Sequence, residues 1–328
     1  MSRLTKLRAL KWPTIAYEVQ KNVRSRARGK RGALRAITAV GATLGDPAAR
    51  VAYSRTAFGG YLDVTGLEGD RLEGKRVLEL GPGEELSVAL RFLAAGASKV
   101  SCIDRFEFDI DPAWERAVYR GLLDDVGEDG RARLAELIAP DGTLDRESPA
   151  LEVIRGVGIE DGAEHLEDGA YDLVVSVAVL EHVYDLEASL RSMDALLAPG
   201  GAMAHWVDLR DHGMFSGGGR HPLDFLTIKD PLYHLMTSHT GAPNRERIGR
   251  YRELLSALGH EATILITNVG GTREDLEAAT QQVKVNGPLA ESIERLRPRM
   301  APRFATLPLE ELATTGIVIH SVKPPAPV

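Results

Sequence analysis

The chain has almost no cysteine. Cys102 stands alone among 328 residues. A single thiol excludes an internal disulfide and any clustered-cysteine zinc or iron–sulfur site. Its setting, Lys99-Val100-Ser101-Cys102-Ile103, predicts burial as a small apolar side chain in a strand. A chain without disulfides suits a reducing compartment, and a cytoplasmic location is expected. Long hydrophobic runs are also missing. None approaches the roughly 18 residues of a membrane span. The first residues lack the apolar core of a secretory signal, so none is expected. There is no internal repeat, and no biased tract beyond the proline-containing tail from Pro324. Outside the N-terminus negative charge outweighs positive. Residues 1–35 carry eleven Lys or Arg and the single acid Glu18, which leaves about −17 of the net −7 on the remainder. A body that acidic argues against a nucleic-acid substrate held on a broad basic face.

What is present concentrates at Val77-Leu78-Glu79-Leu80-Gly81-Pro82-Gly83-Glu84-Glu85. An apolar strand runs into a carboxylate and then into two glycines spaced one apart, which let a backbone approach a ligand closely. A dinucleotide fingerprint needs a third glycine where this chain has Leu86. It also needs a helix N-terminus open to a pyrophosphate, and Glu84 and Glu85 would repel one there. A cationic, phosphate-free nucleoside meets neither objection, and S-adenosylmethionine is one. Asp104 follows Gly83 by 21 residues at the tip of a second strand, where a carboxylate accepts both ribose hydroxyls. The segment 153–161 ends in Glu160 and Asp161. The β-branched run Tyr171–Val177, apolar on both faces, reads as a central parallel strand. Leu180-Glu181-His182-Val183 follows it; a helix start with an acid at the positive dipole end is the plain alternative. Leu196-Leu197-Ala198-Pro199-Gly200-Gly201 is a helix stop and tight turn.

In this order, over roughly residues 75–205, these segments resemble the motifs of class I S-adenosylmethionine-dependent methyltransferases. The usual first motif is an acid and then Gly-x-Gly-x-Gly; Glu85 replaces the third glycine here. The resemblance implies an α/β fold with a doubly wound, mostly parallel seven-stranded sheet. Its strand order is 3-2-1-4-5-7-6, with the seventh strand antiparallel. It implies S-adenosylmethionine held by Glu79, Gly81, Pro82, Gly83, Asp104, Arg105, Glu160, Asp161, Ser176 and Val177. The tip of strand four is expected near the methionine end of the cofactor, and Glu160 or Asp161 on the adenine amino group. The Leu-Glu-His-Val stretch resembles the small-molecule branch. An Asn/Asp-Pro-Pro-Tyr/Phe motif, which would indicate amino-group methylation, is replaced by Ser176-Val177-Ala178-Val179.

Residues 1–70 read as a basic helical extension or cap, and 71–328 as the methyltransferase domain with helical inserts at about 106–150 and 208–243. In the extension Trp12, Ile15, Ala16, Val19 and Val23 fall at helical spacing. They suit either a helix packed on its own domain, which is preferred, or a peripheral membrane contact. Breaks are expected at Gly45-Asp46-Pro47 and Gly59-Gly60. Asp111-Pro112 starts a helix, and Asp141-Gly142 is a turn. The loop Gly219–Phe225 and the segment Tyr233–His239 read as parts of an acceptor lid. Asn244 is expected to cap a helix carrying Ile248, Tyr251, Leu255 and Leu258, which Gly259 ends. Strand six is expected at 263–267 and strand seven at 316–322.

Methyl transfer from a sulfonium needs alignment, exclusion of water and, for a hydroxyl acceptor, removal of a proton. The densest polar stretch is His205-Trp206-Val207-Asp208-Leu209-Arg210-Asp211-His212. His212 reads as the general base, Asp211 as its orienting partner and His182 as the second choice. His205, Asp208, Arg210 and His221 read as substrate-binding. The competing readings are an Asp208–Arg210 structural pair, a hydrogen-bonded core His205 and a divalent-metal site. The ligand pattern of catechol-type enzymes is not matched, so no metal is expected. The function read from the sequence is methyl transfer to a small molecule, at oxygen of a natural product, sugar or lipid head group. The alternatives are an RNA or protein methyltransferase recruited by the basic N-terminus, or a non-catalytic cofactor-binding protein.

Overall fold

Apolar runs flanked by glycine turns assemble into one sheet of eight strands. In the computed structural model residues 11–29, 45–67, 69–270 and 275–326 are described. The expectations for Lys30, Arg31 and residues 36–44 lie outside them. The strands are β1 (Arg76–Leu80), β2 (Lys99–Asp104), β3 (Leu151–Arg155), β4 (Tyr171–Val177), β5 (Leu197–Asp208), β6 (Glu261–Val269), β7 (Asp275–Thr280) and β8 (Thr314–Val322). Their order is β3-β2-β1-β4-β5-β8-β6-β7. The first five run parallel, and β8 runs antiparallel to β5 and β6. This is the expected order with one correction: an additional strand, β7, lies on the outer edge. In Asp275-Leu276-Glu277-Ala278-Ala279-Thr280 the alternation spans only four residues and no β-branched run accompanies it, so its strand signal is weak.

The central strands are apolar on both faces because helices cover both. On one face Val77, Cys102 and Val175 share a core with α2 (Pro47–Thr65), α3 (Ser87–Ala94), α4 (Pro112–Asp125) and α5 (Gly127–Leu134). On the other, Leu78, Leu80 and Val174 pack with α6 (Leu186–Leu196) and α8 (Ile248–Ala257). The helix between them, α7 (Asp230–Thr237), belongs to a third cluster. There Phe215, Phe225, Tyr233 and Met236 pack with α9 (Gly287–Leu296), α10 (Pro302–Ala305) and α11 (Leu309–Ala313). The insert at 208–243 is therefore packed through its own core and is not an open flap.

The helix α1 (Lys11–Gly29) lies on α7. Its buried side chains are Thr14, Ile15, Glu18, Asn22 and Ser25, while Trp12 is 71% and Val23 57% exposed. The apolar stripe drawn from sequence is thus rotated. Polar groups take the inner face because Asn22 donates to Leu235 O (2.9 Å) and Ser238 Oγ (3.0 Å) and accepts from His239 N (2.7 Å). No helix among the described residues is long and apolar enough to cross a membrane.

Two breaks behave differently. Asp46 caps α2 and Pro47 opens it, as expected. Gly59-Gly60 does not interrupt it. A Cβ on Gly60 would lie 3.1 Å from Trp206, so this glycine serves close packing against β5. Asp111 caps α4, and two helices fill the connection before β3 as expected.

Candidate active site

The turn leaving β1 is shaped by two left-handed glycines. Gly81 (φ +62°) donates its N–H to Ile103 O at 2.8 Å, and a Cβ on it would meet Val179 Cγ2 at 2.5 Å. This contact ties the turn to the loop that follows β4. Gly83 (φ +77°) has nothing within 4 Å of the place a Cβ would take. Its N–H donates to Asp104 Oδ2 at 3.2 Å. The turn thus offers an open, side-chain-free approach beside a buried carboxylate. That fits a nucleoside held by Asp104 through its ribose.

The carboxylates here are largely committed to the protein. Glu79 is buried, and burial first, then the Glu85 charge, pushes its pKa up to about 8. Glu85 caps Ser87 N (2.5 Å) and accepts from Arg50 Nη2 (2.9 Å). Arg50 of α2 pairs with Glu85, whose charge still acts on Glu79. Pro82 is buried, and Glu84 is partly exposed. Asp104 also accepts from Phe106 N (2.9 Å) and Arg155 Nη1 (3.3 Å). Three acceptor positions are filled, so a forked pair of ribose hydroxyls requires Arg155 to move aside. Glu160 accepts from Arg105 Nη2 (2.5 Å) and from Tyr184 N (2.8 Å), and Arg105 lies 4.1 Å over the Tyr184 ring. Asp161 is exposed. Val177 is half-buried at the tip of β4. Ser176 is buried, with its hydroxyl 2.8 Å from His205 Nδ1.

Beyond the tips of β4 and β5 the structure gathers Glu181, His182 and His212. One donor atom from each lies within 4.8 Å of the others. The two imidazoles meet edge to face, with centroids 4.7 Å apart. Burial raises Glu181 to about 8; burial and the neighbouring His212 lower His182 to about 4. His212 is also lowered, chiefly by burial and against the Asp208 charge. His212 has φ +49° and Ala178 φ +54°, uncommon for residues with a Cβ. Asn244 pins the loop between β4 and α6: its side-chain amide donates to Leu180 O (2.7 Å) and Val183 O (3.3 Å), and its N–H to Glu181 O (2.7 Å).

Several expectations are corrected. Asp211 does not orient His212. Its carboxylate accepts from Gly213 N (3.0 Å), Phe215 N (2.8 Å), Ser216 N (2.8 Å) and Ser216 Oγ (2.5 Å), which holds its own loop. Asp208 is the carboxylate beside His212, with Oδ2 3.6 Å from Nε2. It also takes Arg210 Nε at 2.7 Å, so the pair is a local ion bridge. His205 is fully buried between strands, and burial holds it near pKa 3; it is a core histidine. Both His221 nitrogens are engaged, one by Leu223 N (3.1 Å) and one by Ser292 Oγ (3.2 Å). Asn244 does not cap α8. Arg245 and Arg247 are 3% and 2% exposed. Arg245 donates to Phe225 O (3.0 Å) and Ile228 O (2.6 Å), and Arg247 to Leu209 O (2.8 Å) and Leu312 O (3.0 Å).

Sequence reasoning named neither Glu181 as part of a cluster nor Asn244 as its clamp. The clue to Glu181 was its place one residue before a histidine at a strand tip. For Asn244 no local signal exists, because its partners are over 60 residues away.

Comparison with known proteins agrees with this geometry. A family model described as a methyltransferase domain matches residues 54–256, more than half of the chain. A ubiquinone biosynthesis O-methyltransferase of Methylocella silvestris is 30% identical over 159 residues, covering 47% of this chain and 50% of that protein. The chain thus spans about half the length of the curated relative it matches. Among solved structures, the [4+2]-cyclase SpnF aligns over 95% of this chain and 94% of its own, at 17% identity and TM-score 0.42. An S-adenosylmethionine-dependent methyltransferase of Mesorhizobium loti aligns over 82% and 100%, at 14% identity and TM-score 0.41. The chain belongs to the methyltransferase domain family.

Proposed function

We propose that the chain methylates an oxygen of a small-molecule acceptor. The observation that carries this reading is the polar cluster of Glu181, His182 and His212. Glu181 and His182 lie past the tip of β4, on the loop whose Val179 stands against the Gly81 turn, and His212 follows the end of β5. An acceptor hydroxyl placed there meets buried polar groups with unused bonding capacity. The Methylocella relative, an O-methyltransferase by name, supports the same choice of atom.

When bound, S-adenosylmethionine supplies an activated methyl group on a sulfonium. The residues of the chain do the rest. Gly81 and Gly83 keep the turn free of side chains, and Asp104 holds the ribose. Arg105 and Glu160, paired with each other, fix the loop on the adenine side. The strand tips exclude water and set the acceptor in line. Tyr61 and Trp206, in edge contact at 5.1 Å, close the face covered by α2.

The test is release of S-adenosylhomocysteine with matched acceptors bearing a hydroxyl, an amine or a nucleophilic carbon. The reading predicts turnover with hydroxyl acceptors. Turnover confined to amines or carbon, or donor binding with no turnover on any acceptor, contradicts it.

A further inference from the structure

We propose that Glu181, His182 and His212 form a binding site for a divalent transition-metal ion of the zinc type, with positions left open for an acceptor oxygen. This inference rests on the oxygen-acceptor reading for the open positions, but not for the ion itself.

The first observation is proximity: one ligand-bearing atom from each of the three groups lies within 4.8 Å of the others. The second is independent of it. Glu181 Oε2, His182 Nδ1 and His212 Nε2 are each buried without a hydrogen-bond partner. Buried polar atoms are nearly always paired. Glu181 is 1% exposed, so water does not satisfy its free oxygen from bulk solvent. Its other oxygen already accepts from Asp208 N at 3.1 Å. Buried polar atoms without hydrogen-bond partners, on three residues whose ligand atoms come this close together, are what a cation resolves.

The backbone holds the donors in place before any ion arrives. His182 N donates to Val179 O at 2.8 Å, and Asn244 grips the loop on both sides of Glu181. His212 is kept in the left-handed region by the loop that Asp211 organises. Such strain is retained where the surroundings fix a residue for a purpose. Asp208 Oδ2 lies 3.6 Å from His212 Nε2 and is itself held by Arg210.

Two imidazoles and one carboxylate suit zinc, iron(II), cobalt or manganese better than calcium or magnesium. Three protein ligands leave room for exogenous oxygen, as catalytic zinc sites do. A hydroxyl coordinated there becomes more acidic, so its proton is lost to solvent without a dedicated histidine base. This replaces the expectation of a metal-free site in which His212 or His182 is the base.

The test uses the full chain, stripped with a chelator and dialysed. Zn²⁺ is titrated by calorimetry into the wild type, His182→Ala and His212→Ala, with S-adenosylhomocysteine affinity measured on each as a check of folding. Co²⁺ is titrated into the wild type alone and followed by visible absorption. We expect one Zn²⁺ per chain, weakened at least about 100-fold in either variant, and unchanged S-adenosylhomocysteine affinity. We also expect intense d–d bands from Co²⁺ in a low-coordinate histidine site. No saturable Zn²⁺ uptake, uptake indifferent to both substitutions, or a Co²⁺ spectrum matching the aquo ion overturns the proposal. The Co²⁺ result decides the matter even if a variant unfolds. Metal uptake with methylation only at amines sinks the oxygen reading and leaves the site; hydroxyl methylation by a chain that takes up no metal does the reverse.

Discussion

At Gly83 a single hydrogen separates a working turn from a blocked one. An L-residue in the left-handed region costs about 1–2 kcal/mol. Gly83→Ala places its Cβ in open space, so stability is expected to fall by only about that much. Donor affinity is expected to fall at least tenfold, because that space is where the nucleoside approaches. Gly81→Ala adds a 2.5 Å contact with Val179 to the same backbone cost, so it is expected to lose roughly 2–4 kcal/mol. Chemical denaturation and donor titration of both variants check the contrast. Equal stability losses would contradict it. Glu79 gives a pH prediction. Desolvation and Glu85 raise its pKa to about 8, while Arg155 opposes them and Asp104 adds to them. Unfolded, it titrates near the usual carboxylate value. The native state therefore binds more protons between about pH 4.5 and 8, and this group's contribution to stability is lost as pH rises through that window. Each pH unit is worth roughly 1.4 kcal/mol at most. Glu79→Gln is expected to flatten the fall in stability from pH 5 to 8 in denaturant titrations of the donor-free protein. A variant profile parallel to the wild type would contradict the assignment.

At the scale of elements, the N-terminal helix is held by hydrogen bonds rather than by an apolar stripe. Asn22→Ala removes three bonds to α7 and its following turn, and is expected to cost about 1–3 kcal/mol. It should also speed proteolytic cleavage around residue 29, which limited digestion would read; unchanged cleavage would contradict the docking. What was legible in the sequence follows from range. Strands β1, β2 and β4 and the Asp111 and Gly259 helix boundaries rest on local pattern and glycine chemistry, and they stand where expected; β5 begins at Leu197, inside the stretch read as a tight turn. The edge strand β7 was not legible, because its alternation is only four residues long and it has no β-branched run. The inner face of α1 was not legible either: a polar face looks solvated until its partners, more than 200 residues away, are known. The same reason hid the buried roles of Arg245 and Arg247. The candidate site was half visible. His182 and His212 were singled out separately, but only the fold brings them together with Glu181, and it gives Asp211 a structural task.

For the whole molecule, charge sets the kind of partner. The body carries about −17 outside residues 1–35. RNA affinity is expected to be weak and to fall steeply between 50 and 200 mM salt, with methyl transfer independent of RNA. Filter binding across salt concentrations checks this; salt-resistant RNA binding would contradict it. The architecture places the donor turn, Asp104 and the histidine cluster along the carboxyl ends of the parallel strands, where open α/β sheets bind ligands.

The most direct measurement is calorimetric titration of S-adenosylmethionine into the wild-type chain and Asp104→Asn, with a nicotinamide dinucleotide titrated in parallel. The account predicts one donor site in the wild type, weakened about 10- to 100-fold by the substitution, and no heat from the dinucleotide. Saturable uptake of the dinucleotide with none of the sulfonium donor would contradict it.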